Sequence, residues 1–484
     1  MAEKIPAFPL AFTKDGIIRN AALDDVLSPE NTCQMALNFN FDQIGVYTLR
    51  KGITRLGGIV ELNKAVLGMT NYRNNAGNNY KLLAKLDTDV YAYDGSSWVS
   101  VRNTLTASSK ARFTNFVDYV FMVNGNGNQT CATYNGSGSF GSTNVASLPA
   151  GDFIENYRSR IWVGDSASDK LYYSDVVTTS NTITGGTEFI QISPQDGEKI
   201  TGLQRYSRAL LVFKQNHIYR VYNTTNVDPY PAYNVGTFSQ ESIVQAKDGI
   251  YFHHSSGFYK FSYDTQPTEI SRRVIDFVKA IPRSSYENIV GVYDGFDAVK
   301  WSVGSITVEG VTYANCQMRY SISTQVWTIY DFAGTNITAL ISYDNGTTID
   351  QIAGTSTGLV GKLDSGTTDF GNDIYYEIID RWRSFTEQMS DNVMYSQTKN
   401  ISGVMVMTEN GAGMELQYQT EKSTVNKWEN IDSVKNNYAE LFPNASTDDF
   451  NNVRLRLKGY TKGTPIIYHG TEILSIQIKG MESN

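Results

Sequence analysis

Cysteine is almost missing from this chain of 484 residues: Cys33, Cys131 and Cys316 stand far apart and are odd in number. That excludes a disulfide framework and a zinc knuckle. Histidine is nearly as scarce, with His217, His253, His254 and His469 alone. The adjacent pair points to opposite faces of any strand and cannot ligate one metal side by side, so all four read as structural or surface residues. No run of about 18 apolar residues is present, which excludes a membrane-spanning helix. The opening MAEKIPAFPLAF lacks the continuous apolar core of a signal peptide, and the expectation is a reduced protein made in the cytoplasm. A basic excess is also missing. The net charge of −8 excludes the footprint of a tight nucleic-acid binder, though not a wall along which DNA slides. The chain holds no G-x-S-x-G elbow, phosphate-binding Walker loop, H-E-x-x-H or paired-cysteine motif, and no carboxylate pair is marked out for glycoside hydrolysis. No catalytic residue, metal or cofactor is expected.

What the chain does have is glycine and aromatic residues: 40 Gly, 31 Tyr and 22 Phe against only 11 Pro. Many short strands joined by glycine-containing turns produce that profile. With 41% hydrophobic and 19% charged residues there is enough apolar material to fold. The fold class is all-β.

The strands repeat. VYAYDG (90–95), TCATYNG (130–136), KLYYSD (170–175) and FSYD (261–264) are versions of one phrase, a strand running into a Tyr-Asp or Tyr-Asn turn. Each follows an earlier apolar strand. YVFMV (119–123), RIWVGD (160–165), ALLVFK (209–214) and GIYFHH (249–254) play that part, with LLAKL (82–86) upstream and DAVKWSV (297–303) and IDQIAG (349–354) downstream. These seven starts fall about 40 to 50 residues apart, the spacing of four-stranded propeller blades. One blade cannot cover its own apolar faces, whereas a ring of blades seals each against the next. A six- or seven-bladed β-propeller over 61–370 is predicted; two β-sandwiches would show similar phrases without the period.

EISRRVIDFVKAIP (269–282) breaks the rhythm. It places Val274, Phe277, Val278 and Ile281 at helical spacing between a capping Ser271 and Pro282. After residue 370 the strands lengthen: IYYEIID (374–380), ISGVMVMTEN (401–410), MELQYQTE (414–421), NVRLRLKG (452–459) and EILSIQIKG (472–480) alternate in the manner of an antiparallel β-domain. Residues 371–484, joined by an N-terminal segment 1–60, are expected to build an additional antiparallel β platform.

SYDNGTTI (342–349) matches the Asp-box of sialidases at Ser342, Asp344, Gly346 and Thr348, with Ile349 where tryptophan is usual. In that family the box braces a hairpin and does no chemistry, so it reads as a structural turn. The Asn-rich turn NGNGNQ (124–129) suits a sugar or Ca²⁺ ligand and equally a solvated loop tip.

Three stretches carry a family likeness. NFNFDQIGVYTLRKG supplies Asn38, Asn40, Asp42, Gly45, Arg50 and Gly52 in an N-x-N-x-D-x-x-G-x-x-x-x-R-x-G phrase. KITGLQRYSRALLVFKQNHIYRVY (199–222) supplies a Gly-Leu pair before an apolar strand, and RIWVGDSASDKLYYSD precedes it. The EISRRVIDFV helix start and the closing strands NVRLRLKG and EILSIQIKG also fit. In these features the chain resembles the tail nozzle proteins (tail-hub or tubular B-type) of short-tailed bacteriophages. The resemblance implies a non-enzymatic virion protein of the tail, assembled in the host cytoplasm as a hexameric ring below the portal and adaptor rings. It further implies that genomic DNA is met only in transit and that fibres or spikes dock on the flank. By position in the phrase, the turn Arg50, Lys51 and Gly52 is the expected adaptor-docking point. The rival readings are a glycan-binding or sialidase-like propeller, which needs a pocket of clustered carboxylates, and a monomeric scaffold propeller with a free partner face.

Overall fold

The computed structural model describes residues 8–10, 17–19, 32–43, 46–125, 131–141, 148–177, 183–225, 227–229, 234–262, 266–385, 398–424, 427–436, 439–442, 447–461 and 463–478. Gly45 and most of the NGNGNQ turn lie outside them.

Seven blades form a closed ring. Blade 1 is Val66–Arg73, Tyr80–Leu86, Asp89–Tyr93 and Trp98–Arg102. Blade 2 has three strands, Arg112–Phe116, Tyr119–Val123 and Ala132–Tyr134, and a single bridge from Thr133 to Gly141 stands in the fourth position. Blades 3, 4 and 5 begin at Phe153, Gly202 and Val244. Blade 6 is Val290–Tyr293, Ala298–Val308, Val311–Ser321 and Trp327–Asp331, and blade 7 starts with Ile337–Asp344, Ile349–Thr355 and Val360–Lys362. First strands pack side by side around the axis, from 66–73 through to 337–344 and back to 66–73; blades 4 and 5 meet through the Gln204–Gln245 hydrogen bond of 3.3 Å.

All seven apolar runs read from the sequence are the second strands of blades. Their composition follows from their position. Successive residues of a strand face opposite sides, and here both sides are buried. In blade 2, Val120 and Met122 pack toward blade 1 while Phe121 and Val123 pack toward blade 3. In blade 4, Leu210 and Val212 face blade 3, and Leu211 and Phe213 face blade 5. Six of the seven gaps between blades hold separate apolar clusters, and the layer between blades 5 and 6 is continuous with the platform core. The layer between blades 5 and 6 is the most aromatic, with Tyr251, Phe258, Trp301 and Trp327 in mutual contact. At about 1.5–3 kcal/mol per large buried side chain, these layers are the main stabilising term.

The repeated turn phrase has a local cause as well. Asp94 Oδ1 accepts the backbone N–H groups of Ser96 and Ser97 at 2.8 and 2.7 Å. Asn135 Oδ1 does the same for Ser137 at 3.2 Å. Gly95 and Gly136 follow with φ of 101° and 85°, a region that favours glycine. The acid or amide closes the turn on itself.

The ring is closed from the other end of the chain. Thr54–Arg55 pairs with Val360–Lys362 as the outermost strand of blade 7, Arg55 opposite Gly361 and Thr54 opposite Lys362. The propeller therefore takes in residues before 61, a correction to the segment limit read from composition.

The platform is two sheets. Blade 6 runs on through a parallel contact at Leu37 and Ile329 into Cys33–Leu37, then Tyr375–Asp380, Val453–Tyr460, Glu415–Thr420 and Glu429–Ser433, making one sheet of nine strands. The second sheet is ordered Phe39–Gln43, Val46–Leu49, Ile467–Ile478, Lys399–Glu409 and Ala439–Phe442, and Phe8–Leu10 also pairs with Ile467–Ile478. Phe39, Tyr47, Tyr376, Val404, Leu457 and Tyr468 are among the shared core of these sheets. N- and C-terminal strands thus interleave, and blade 6 is continuous with them.

The irregular stretch folds as a 3₁₀ turn, Arg272–Val274, and a short helix, Ile275–Ala280. Val274, Phe277, Val278 and Ile281 are all buried. Ser271 does not cap the helix; its hydroxyl accepts the N–H of Phe258 at 3.0 Å.

Candidate functional site: the axial plug and the propeller–platform junction

The first strands leave a cavity of about 340 Å³ on the propeller axis, lined from six blades by residues such as Met69, Phe113, Glu155, Gln204, Gly291 and Ala339, and by Gln240, Glu241 and Ile243 ahead of blade 5. Charge closes it at one level. Glu241, on the 3₁₀ turn before blade 5, meets Arg112 Nε at 2.7 Å and Lys110 Nζ at 3.1 Å, both from the start of blade 2. Lys110 also donates to Glu287 O at 2.6 Å and Arg112 to Asp152 O at 2.9 Å, which draws in the entries to blades 6 and 3. The Arg112 guanidinium lies 4.6 Å from the centre of the Phe153 ring. Burial alone would raise the Glu241 carboxyl, but Arg112 and then Lys110 hold it well below the usual carboxylate range. Glu155, on the same cavity, is pushed the other way by burial. Outside this plug is a wider concavity of about 650 Å³ with Lys199, Phe238 and Asn288 on its wall.

The second cluster lies where the N-terminal phrase turns into blade 7. Arg50 is 2% exposed. Its Nη1 and Nη2 donate to the two carboxylate oxygens of Asp369 at 2.8 and 2.6 Å, and its Nε donates to Asn38 Oδ1 at 2.7 Å. The guanidinium is 4.0 Å from the Phe332 ring centre. Asn38, at φ 65°, donates from Nδ2 to Tyr375 O at 2.7 Å, and its Oδ1 also accepts Asp331 N at 3.0 Å. Asn40 accepts the Tyr330 hydroxyl proton. Gly52 exchanges backbone bonds with Gly366 and Ser365 at 3.0 Å, and a Cβ on it would fall 1.9 Å from Thr368 O. One planar, five-donor side chain thereby joins the platform, blade 6 and the short hairpin that follows blade 7, in which Thr368–Asp369 pairs with Asn372–Asp373.

These positions correct the docking expectation. Arg50 and Gly52 are buried within the protein and present nothing to a partner; Lys51 alone of the three is exposed. Of the phrase, Asn38, Asn40, Arg50 and Gly52 converge on the junction. Asp42 falls in the strand Phe39–Gln43.

The Asp-box-like turn joins the first two strands of blade 7. Asp344 Oδ1 accepts Gly346 N at 2.8 Å, Thr348 Oγ1 donates to Asp350 at 3.1 Å, and Ser342 Oγ donates to Tyr293 O of blade 6 at 3.0 Å. Its polar groups serve the hairpin and the neighbouring blade. The histidines are scattered: His217 contacts Glu198 at 3.0 Å, His254 contacts Ser256 and Asn216, and His469 contacts Glu409 at 2.9 Å. His253 is fully buried between Phe258 and Tyr286 and neither ring nitrogen has a hydrogen-bond partner. All three cysteines are buried free thiols. Among the described residues, no group of three or more His, Cys, Asp or Glu side chains is placed to hold a metal, and no helix is long and apolar enough to cross a membrane.

No family model matches the chain, and no curated protein matches it. Solved structures that share features of its fold include the computationally designed Ika8 protein, 11% identical over 64% of this chain and 99% of that one, with a TM-score of 0.38. YCF48 bound to the D1 peptide is 10% identical over 68% of this chain and 97% of its own, with a TM-score of 0.41. The WD40 domain of Neurospora crassa Pan2 is 9% identical over 66% and 98%, with a TM-score of 0.40. The propeller assignment rests on the seven sheets and their closure.

Proposed function

We propose that this chain is a structural virion protein, a ring-forming tail nozzle or hub that extends the DNA-ejection channel below the portal and adaptor and anchors tail fibres or spikes. The observation that carries this reading is the junction around Arg50. Four residues of the N-terminal phrase that contributes to the likeness to nozzle proteins, Asn38, Asn40, Arg50 and Gly52, weld platform to propeller, which is what a subunit of a rigid conduit requires. The axial plug agrees with it: a subunit that closes its own axis leaves the channel to be formed between copies. A net charge of −8 disfavours adhesion of phosphate backbone to such a wall.

In this reading six copies meet through heterologous, ring-closing surfaces, and DNA is touched only in transit. The test is negative-stain imaging of the purified chain, alone at high concentration and mixed with an adaptor-ring protein of a short-tailed bacteriophage. Closed six-fold rings in either sample are expected. Single particles in both would overturn the proposal, as would release of reducing sugar from a glycan panel.

A further inference from the structure

Ser256 sits exposed at the tip of the hairpin between the second and third strands of blade 5, Gly249–His254 and Gly257–Phe261. Its Oγ is 2.8 Å from Nδ1 of His254, which is 6% exposed. On the far side of that ring, Nε2 is 3.2 Å from Oδ1 of Asn216, on the equivalent turn of blade 4 between Ala209–Phe213 and Ile218–Val221. Glu198 holds Asn216 in place: the backbone N–H of Asn216 donates to Oε2 at 3.0 Å, and its Nδ2 donates to Oε1.

The order of donors fixes the tautomer of His254. Because Asn216 Nδ2 is spent on Glu198, Oδ1 is the atom that faces the ring, and Nε2 carries the hydrogen. Ser255 Oγ, 3.4 Å from Nε2, stands where it too can accept it. Nδ1 is therefore bare, and it accepts the Ser256 N–H at 3.3 Å as well as the Ser256 hydroxyl. Burial lowers the imidazole, with Glu198 opposing in part, so the ring is a neutral base near pH 7. The Tyr259 hydroxyl, 2.8 Å from Ser256 Oγ, is left to donate to that oxygen.

A nucleophile, a base and a group that orients the base thus stand in sequence. We infer that Ser256 is an activated nucleophile that takes the acyl group of small esters, with His254 as its base and Asn216 positioning that base. Oγ attacks the acyl carbon and its proton passes to Nδ1. The bond to the leaving alkoxide then breaks and the alkoxide takes that proton. Water, deprotonated by the same nitrogen, adds to the acyl-serine and frees the acid and the hydroxyl. A single hydroxyl donor beside the reacting oxygen, rather than a set of N–H groups, restricts the site to esters and excludes amides. Gln215 and Phe238 line the concavity of about 650 Å³, and the Phe238 ring centre is 6.2 Å from that of His254, so an ester reaches the serine from that rim. No G-x-S-x-G elbow announces this serine, because it stands on a hairpin tip and not between a strand and a helix. The activity is additional to the structural role proposed above and does not rest on it.

The test uses the full chain, with p-nitrophenyl acetate for turnover and diisopropyl fluorophosphate to trap the nucleophile for peptide mapping by mass spectrometry. Release of p-nitrophenolate above the buffer rate is expected, with the phosphoryl adduct on Ser256. Both should vanish in Ser256→Ala, an exposed change that leaves the fold intact. His254→Gln should slow release about 100-fold. Asn216→Ala should lower kcat about tenfold at unchanged KM, because the base loses its orientation while substrate contacts stay. No release above buffer, equal release in Ser256→Ala, an adduct elsewhere with Ser256 bare, or a raised KM alone in Asn216→Ala would each overturn the inference. If His254→Gln does not fold, the adduct map and Ser256→Ala decide the question. None of these results bears on six-fold assembly, so failure of the site and failure of the ring reading are separable.

Discussion

Arg112 Nε lies 2.7 Å from Glu241 Oε1 although the two residues enter the ring at blades 2 and 5, on opposite sides of its axis. This pair, with Lys110, staples the ring across its own hole. Glu241→Gln would leave two cations facing each other with no acid between them. Because each of the three side chains is still 17–24% exposed, the expected cost is about 2 kcal/mol, below the full penalty for breaking a buried pair. Urea unfolding checks this, and an unchanged midpoint would show that the plug is decorative.

Arg50 is the corresponding device between propeller and platform, and its 1% exposed side chain faces a 6% exposed Asp369. Arg50→Lys keeps the charge but loses the two-pronged grip on Asp369 and the bond to Asn38, for an expected loss of about 3 kcal/mol. Scanning calorimetry should then show platform and propeller melting separately, against a single transition expected for the unaltered chain. Gly52→Ala should have the same effect, because its Cβ would meet the Thr368 backbone.

His253 gives a pH dependence of definite sign. Burial lowers the imidazole to about 3, whereas the unfolded chain takes up that proton near 6.5. The unfolded state therefore gains protons first as the pH falls. Stability is full above about 6.5 and declines between there and about 3, at up to about 1.4 kcal/mol per unit. His254, beside it, is shifted the same way by burial and partly opposed by Glu198. Tyr286 and Phe258 face the His253 ring without charge. His253→Phe should flatten the profile at no cost at neutral pH, since neither nitrogen has a partner to lose. Denaturation series between pH 7 and 5 decide it; a slope equal to that of the unaltered chain would contradict it.

Closure of the ring by Thr54–Arg55 predicts a local effect. Leu56 N donates to Val360 O at 2.9 Å, and Leu56→Pro removes that donor at an expected cost of about 1–3 kcal/mol. Hydrogen exchange should quicken in Ile349–Thr355 and Val360–Lys362 while blades 3 and 4 keep their protection. Uniform quickening or none would argue against this strand as the clasp.

The sequence was most legible where local composition follows from position. Runs such as ALLVF and YVFMV stand out because both faces of a second strand are buried. First strands such as RFTNF (112–116) and GLQRY (202–206) turn one side to a polar axis and lack that signal. The Asp-box-like turn was also readable, because Asp344 and Asn345 close it with their own neighbours. Long-range features were not. Arg50 and Asp369 are 319 positions apart, Lys110 and Glu241 are 131 apart, and no local pattern joins either pair. The helix start was misassigned at Ser271 for a similar reason: its hydroxyl serves Phe258 on a neighbouring strand.

The most direct test of the whole account is a cryo-electron microscopy map of the chain mixed with the proposed adaptor-ring partner. The account predicts six propellers surrounding a channel that lies between copies, with unbroken density across each Arg112–Glu241 plug. Density for DNA along a propeller's own axis, or a chain that remains single in the presence of the adaptor, would contradict it.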